Sequence, residues 1–249
     1  MARRLAESPE APETPPRTLQ QRLRAAAIVA GIAYAAQAPY LYYLARVAYP
    51  TTLSQRHPAL TAEQVLGADL IRVAIVVILA SLIGALFVER AGLVGLGTRA
   101  SKRSLLVLFA MGAAASAVIY TVVGRSIAEK LPGQYPCALG WALVGTLRGA
   151  LFEEVVARYG MMTLLVGITR RTWLANILQA IFFSAVSTRA IAFATGPLAL
   201  DALTAATIVT SLIVNLIAGG LYAKRGLASA AAFHLGISTR FTLHAVAGC

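Results

Sequence analysis

Two adjacent carboxylates, Glu153 and Glu154, and a guanidinium, Arg158, stand inside an apolar helical stretch, Leu147 to Leu165 (LRGALFEEVVARYGMMTLL). Ionisable groups at such depth cost about 2.5–3.5 kcal/mol each on insertion scales, so they are rare and face a cavity or one another. Adjacent helical residues lie roughly 100° apart and residues four apart share a face. Glu154 therefore pairs with Arg158, while Glu153 turns toward a neighbouring helix or bound water. One held carboxylate beside a free one suits acid–base chemistry on water. The same trio also fits a proton or ion relay, or a neutralised structural pair beside a snorkelling acid.

The chain has only ten acids, and the others, such as Glu63, Asp69, Glu89, Glu129 and Asp201, fall in the N-terminal tail, in loops or near helix ends. Of its three histidines, His57 sits beside Pro58 in a loop, whereas His234 lies inside the last apolar run, with Ser238 four residues on and on the same helical face. A neutral imidazole there can bind metal, move a proton, polarise a carbonyl, or simply bond a neighbouring helix. His244 is ten residues further, roughly 15 Å along a straight helix, too far to share a metal with His234. Cys137 and Cys249 form no CxxC pair, which argues against a cysteine-based metal site, and little in the sequence supports a disulfide between them.

The elements that must position these groups are membrane helices. With 58% hydrophobic and 13% charged residues the chain is far more apolar than a soluble domain of its length. Its net charge of +12 is scattered between apolar runs without a basic, aromatic-interleaved surface, so no nucleic acid partner is expected. No nucleotide loop of the form GxxxxGK[ST], nor a GxGxxG in a strand-turn-helix setting, is present, so no nucleotide cofactor is implied. Residues 1–20, with Pro9, Pro12, Pro15 and Pro16, read as a solvated cytoplasmic tail, and 21–249 as one transmembrane domain.

Crossing about 30 Å of hydrocarbon takes roughly twenty residues. Seven runs qualify, near 25–48, 67–88, 104–124, 137–168, 173–188, 198–222 and 226–247. The expectation is an all-α polytopic bundle of about seven helices, or eight if Gly160 or Gly167 divides the fourth run. Without an internal repeat, two transporter-like halves are not expected. Counting basic residues orients the chain. With the N-terminus inside, the inner segments hold Arg3, Arg4, Arg17, Arg22, Arg24, Arg90, Arg99, Lys102, Arg103, Arg170, Arg171, Lys224 and Arg225, thirteen in all. The outer segments hold four, Arg56, Arg125, Lys130 and Arg189, or six with Arg46 and Arg72. The positive-inside rule then places the N-terminus in the cytoplasm and the C-terminus outside.

Glu153-Glu154-Val-Val-Ala-Arg158-Tyr-Gly160 resembles the E-E-x-x-x-R motif of the CPBP intramembrane proteases, which include type II CAAX prenyl endopeptidases and bacteriocin-processing or self-immunity proteins. Trp173 to Ser187 (WLANILQAIFFSAVS) is similar to the family's helix ending in F-x-x-x-H, and Gly219 to Ser238 to its last motif, H-x-x-x-N. The resemblance covers about residues 137–247. It implies that Glu153 is a general base, that Glu154 and Arg158 support it, and that His234 is an oxyanion partner or ligand. It also allows a divalent metal such as zinc, held by Glu154 and His234, and a membrane-associated peptide or protein as partner.

Two positions depart from the family pattern. Ser187 stands where the second-motif histidine belongs, and Ser238 replaces the final asparagine. A serine at 238 still donates one hydrogen bond. A serine at 187 has no group titrating near neutral pH and is a poor metal ligand. An endopeptidase with a modified site and a catalytically silent scaffold that binds a peptide, lipid or protein are both open on this reading. A coupled transporter and a purely structural subunit are weaker alternatives.

Overall fold

The computed structural model describes residues 18–47, 61–97, 99–130, 135–195 and 202–249, and for 187–195 it describes the backbone alone. Most of the expected tail, and His57, lie outside these residues. All regular structure among them is helical. Helix α1 is Leu19–Tyr43, α2 Ala62–Phe87 and α3 Lys102–Ile119, which continues through a π-helical segment, Tyr120–Gly124, into α4, Arg125–Lys130. Next come α5, Leu139–Arg148, two π-helical segments, Gly149–Glu153 and Val155–Met162, and α6, Thr163–Thr169. The chain closes with α7, Thr172–Thr195, α8, Ala202–Arg225, α9, Leu227–Ser238, and α10, Arg240–Ala247.

Local sequence sets the helix starts. Thr18 and Thr61 each accept a bond from the backbone of Gln21 or Gln64, whose side chain answers the cap residue's own N–H. At the other end of α8, Gly226 has φ 92°, and a Cβ there would overlap the Gly97 carbonyl. That turn is fixed by Leu227 N–H donating to Gly95 O at 2.8 Å and Arg99 N–H to Arg225 O at 3.0 Å.

Among the described residues, four helical runs are long and apolar enough to cross a membrane: Leu19–Val47, Ala62–Phe87, Lys102–Lys130 and Ala202–Arg225. Run 139–169 carries Arg148, Glu153, Glu154 and Arg158 in its middle and stays unbroken at Gly160 and Gly167, so no eighth element forms there. The last expected run is split instead. At Thr239 both the amide (3.1 Å) and the hydroxyl (2.7 Å) donate to Gly236 O, a tightened turn that ends α9 and lets α10 start in a new direction.

The burial pattern is that of a membrane bundle. Large apolar side chains such as Ile28, Ile75, Leu106, Val122, Phe182 and Ile213 are at least half exposed. Small or polar ones such as Ala33, Ser81, Ser116, Ala142 and Gln179 are fully buried. Lipid accepts the first group, while the second allows close helix approach. Helices α1 and α2 are pinned at both ends, by Arg22 to Glu89 and by Arg46 to Glu63 (2.7 Å).

Small residues also place the charged run. Tyr159 lies on Gly84 and Gly160 on Ala80, so α2 supports the second π-helical segment. Helices α3 and α9 meet backbone to backbone at Gly112 and Gly236, where an added Cβ would strike Phe233 O or Phe109 O respectively. Gly236→Val is therefore expected to lower stability by about 1–3 kcal/mol, whereas Gly220→Ala, with nothing within 4 Å of its Cβ, changes it little. Thermal unfolding in detergent reads the difference.

Candidate functional site

Helical spacing and π-geometry together build a paired charge network. Glu154 and Arg158 sit one turn apart, fully buried, with Glu154 Oε1 3.0 Å from Arg158 Nη1. Asn215 on α8 accepts the other end of the guanidinium, Nη2 to Oδ1 at 2.9 Å, and is itself held by donating from Nδ2 to Ser211 O at 2.8 Å. Glu153 is not free, as the sequence had suggested. Its Oε1 lies 2.9 Å from Arg148 Nη2, and both side chains are about a quarter exposed. Arg148 is steadied by Gln37, whose Oε1 accepts from Nε at 2.8 Å, and by the Tyr40 ring, 4.8 Å away.

His234 on α9 joins the two carboxylates. Nδ1 lies 2.5 Å from Glu154 Oε1, and Nε2 lies 3.6 Å from Glu153 Oε2. This hydrogen bond, to a carboxylate that Arg158 also holds, fixes the plane of the imidazole. The ring is thereby oriented with Nε2 toward Glu153. Glu153 and His234 line a cavity of about 240 Å³ with Tyr40, Arg148, Asn215 and Arg240, against an apolar wall that includes Phe183, Val214, Ile237 and Phe241. Glu154 and Arg158 lie behind this wall.

Ser238 is fully buried, and its Oγ lies against Gly149, where an added Cβ would overlap it and stand 3.7 Å from His234 Nε2. It does not line the cavity. Ser187 belongs to α7, and its side chain lies outside the described residues.

Two uncommitted carboxylate and imidazole ligand atoms face the cavity, Glu153 Oε2 and His234 Nε2, fewer than a divalent cation needs. Glu154 Oε1 is taken by Arg158 and His234, Glu153 Oε1 by Arg148, and His234 Nδ1 by Glu154. A zinc site needs three or four protein lone pairs converging at about 2.0–2.3 Å. Here two guanidiniums already neutralise the carboxylates.

Four contributors escaped the sequence reading: Gln37, Arg148, Asn215 and Arg240. Asn215 was findable, because Thr207, Ser211 and Asn215 form a polar stripe at four-residue spacing on an otherwise apolar helix. Arg240 lines the cavity, stacks on Phe241 and donates to Ile237 O at 3.3 Å, and no carboxylate pairs with it among the described residues.

At one side of the cavity the segment before α5 meets α10. Tyr135 packs on Phe241, ring centroids 5.2 Å apart, and Cys137 and Cys249 are joined by a disulfide, a link with little support in the sequence. Their 112-residue separation leaves no local signature to read.

No curated protein and no solved structure matches the chain. A family model described as type II CAAX prenyl endopeptidase Rce1-like matches residues 135–239. That span starts just before α5 and ends at the Thr239 break, so it contains Arg148, Glu153, Glu154, Arg158, Asn215 and His234 and leaves out α1 to α4. Through these residues the chain is similar to the type II CAAX prenyl endopeptidases described as Rce1-like, the group its three motifs resemble.

Proposed function

We propose that the protein is an intramembrane endopeptidase in which Glu153 activates a water for attack on a peptide bond of a membrane-associated substrate. The observation that carries this reading is the facing pair of Glu153 Oε2 and His234 Nε2, 3.6 Å apart on the cavity wall. One water at about 2.8 Å from each can donate a hydrogen bond to both. Glu153 then takes the proton as the hydroxide adds to the carbonyl, and returns it to the leaving amine. Glu154, fixed by Arg158, acts only through the imidazole it orients. Arg240 and Arg148 supply positive charge on the same wall for the developing oxyanion. The apolar side of the cavity suits a hydrophobic peptide segment.

A second reading is favoured by the pairing itself. Each carboxylate has its own guanidinium, and Ser187 replaces the family's histidine, so a silent scaffold that only binds a peptide, lipid or protein fits the same geometry. Mass spectrometry of a membrane-peptide library incubated with the purified protein in lipid separates the two. Cleavage by wild type that is lost in Glu153→Gln supports the protease. Silence in wild type with cleavage gained by Ser187→His supports the scaffold.

The excess of Lys and Arg in the inner segments supports a cytoplasmic N-terminus and an outer C-terminus. A C-terminal reporter in intact cells is expected to read outside, and a cytoplasmic signal would overturn this orientation.

A further inference from the structure

Three side chains that the charge network does not use converge where the segment before α5 meets α10. One ligand atom each from Cys137, Cys249 and His244 all lie within 4.8 Å of one another. The two cysteines are disulfide-bonded, with Cα atoms 5.7 Å apart. The imidazole is held independently of them. Tyr120 Oη and His244 Nδ1 are hydrogen-bonded at 2.9 Å, and the rings of Tyr120 and Tyr135 meet it edge-on at 5.9 and 5.3 Å. Nδ1 is thus occupied, and Nε2 is the nitrogen left for another partner.

We propose that reduction of this disulfide converts the cluster into a binding site for a zinc-class cation, held by both thiolates and the His244 imidazole. Two thiolates and an imidazole form the borderline-soft donor set that selects zinc over magnesium or calcium, which take oxygen ligands. Bond lengths of about 2.3 Å to sulfur and 2.0–2.1 Å to nitrogen put tetrahedral ligand atoms roughly 3.5–3.8 Å apart. The observed spread is within about 1 Å of that, a distance that rotation of exposed cysteine side chains covers. Because Cys137 and Cys249 are exposed, water completes the fourth position. Tyr120 is the outer hydrogen-bond partner that a metal-ligating histidine commonly has.

The absence of a CxxC pair spoke against such a site, but that rule concerns ligands that are neighbours in sequence. Here the fold supplies the proximity. Disulfide and metal are mutually exclusive because they use the same sulfurs. Either one ties α10, with Phe241 and Arg240, to the segment carrying Tyr135, so these cavity-lining residues stay together in both states. The inference does not depend on the proposed peptidase activity.

A phosphine reductant prepares the reduced state. It gives two electrons to the sulfurs and leaves as its oxide with the oxygen of a water, whose two protons go to the thiolates until the metal displaces them. Full-length protein in lipid nanodiscs, so reduced, is then titrated with cobalt(II), whose thiolate complexes absorb in the near ultraviolet. The expected result is a thiolate-to-cobalt band saturating at one equivalent, absent after reoxidation and abolished in Cys137→Ser. Tyr120→Phe is expected to weaken binding about 10–100-fold, and His244→Gln by at least about tenfold. Both variants keep the two cysteines, and circular dichroism with recovery of the disulfide on reoxidation shows that they remain folded. No band in reduced wild type overturns the proposal. Equal affinity in His244→Gln also overturns it, since the sulfurs alone would then be binding.

Discussion

Peptide cleavage by Glu153→Gln is expected to fall by about 10²–10⁴-fold, the usual cost of removing a general base. The substitution keeps the shape of the side chain and its hydrogen bond from Arg148 but removes the lone pair basic enough to take a proton from water. The fold should survive it. Arg148 retains Gln37 and Tyr40, and it and Glu153 are both partly exposed, so solvent replaces the lost ion pair and stability changes by about 1 kcal/mol or less. Near-wild-type thermal unfolding together with the lost rate assigns the effect to chemistry. Equal cleavage by the variant and wild type would remove Glu153 from the role of base.

Arg158→Met tests the layer beneath and should behave in the opposite way, unfolding the site before it alters chemistry. Arg158 and Glu154 are 0% and 1% exposed, and removing the guanidinium strands a buried carboxylate. Breaking a buried pair from one side costs about 3–5 kcal/mol. Asn215 also loses the donor that its Oδ1 accepts. Adding Glu154→Gln removes the stranded charge, so the double variant is expected to recover much of the loss in a detergent thermal melt. Additive losses in the double variant would show that the pair is not energetically coupled.

The contrast between these variants also shows which parts of the site were legible. The Glu154–Arg158 pair follows from spacing alone, since four residues make one turn and no other opposite charge lies on that face. His234 was marked by its isolation in an apolar run. Arg148 was hidden because it stands five residues before Glu153. An α-helix turns that position away, whereas the π-helical segment Gly149–Glu153, with its i to i+5 bonding, brings it alongside. Gln37 and Asn215 come from α1 and α8, and no local pattern states that those helices flank the charged run. The membrane bundle was plain from composition, while the split at Thr239 depended on one hydroxyl competing for one carbonyl.

The pairing of each carboxylate with its own guanidinium has an electrical consequence. Glu153, Glu154, Arg148 and Arg158 sum to zero formal charge, and a neutral His234 leaves that sum unchanged. A transmembrane potential does work of about 2.3 kcal/mol per net charge per 100 mV. On this cluster, moving as a unit, it does none. The voltage across the bilayer therefore does no net work on these four groups, and acts instead on Arg240 at the cavity wall and on any charged group that enters the cavity.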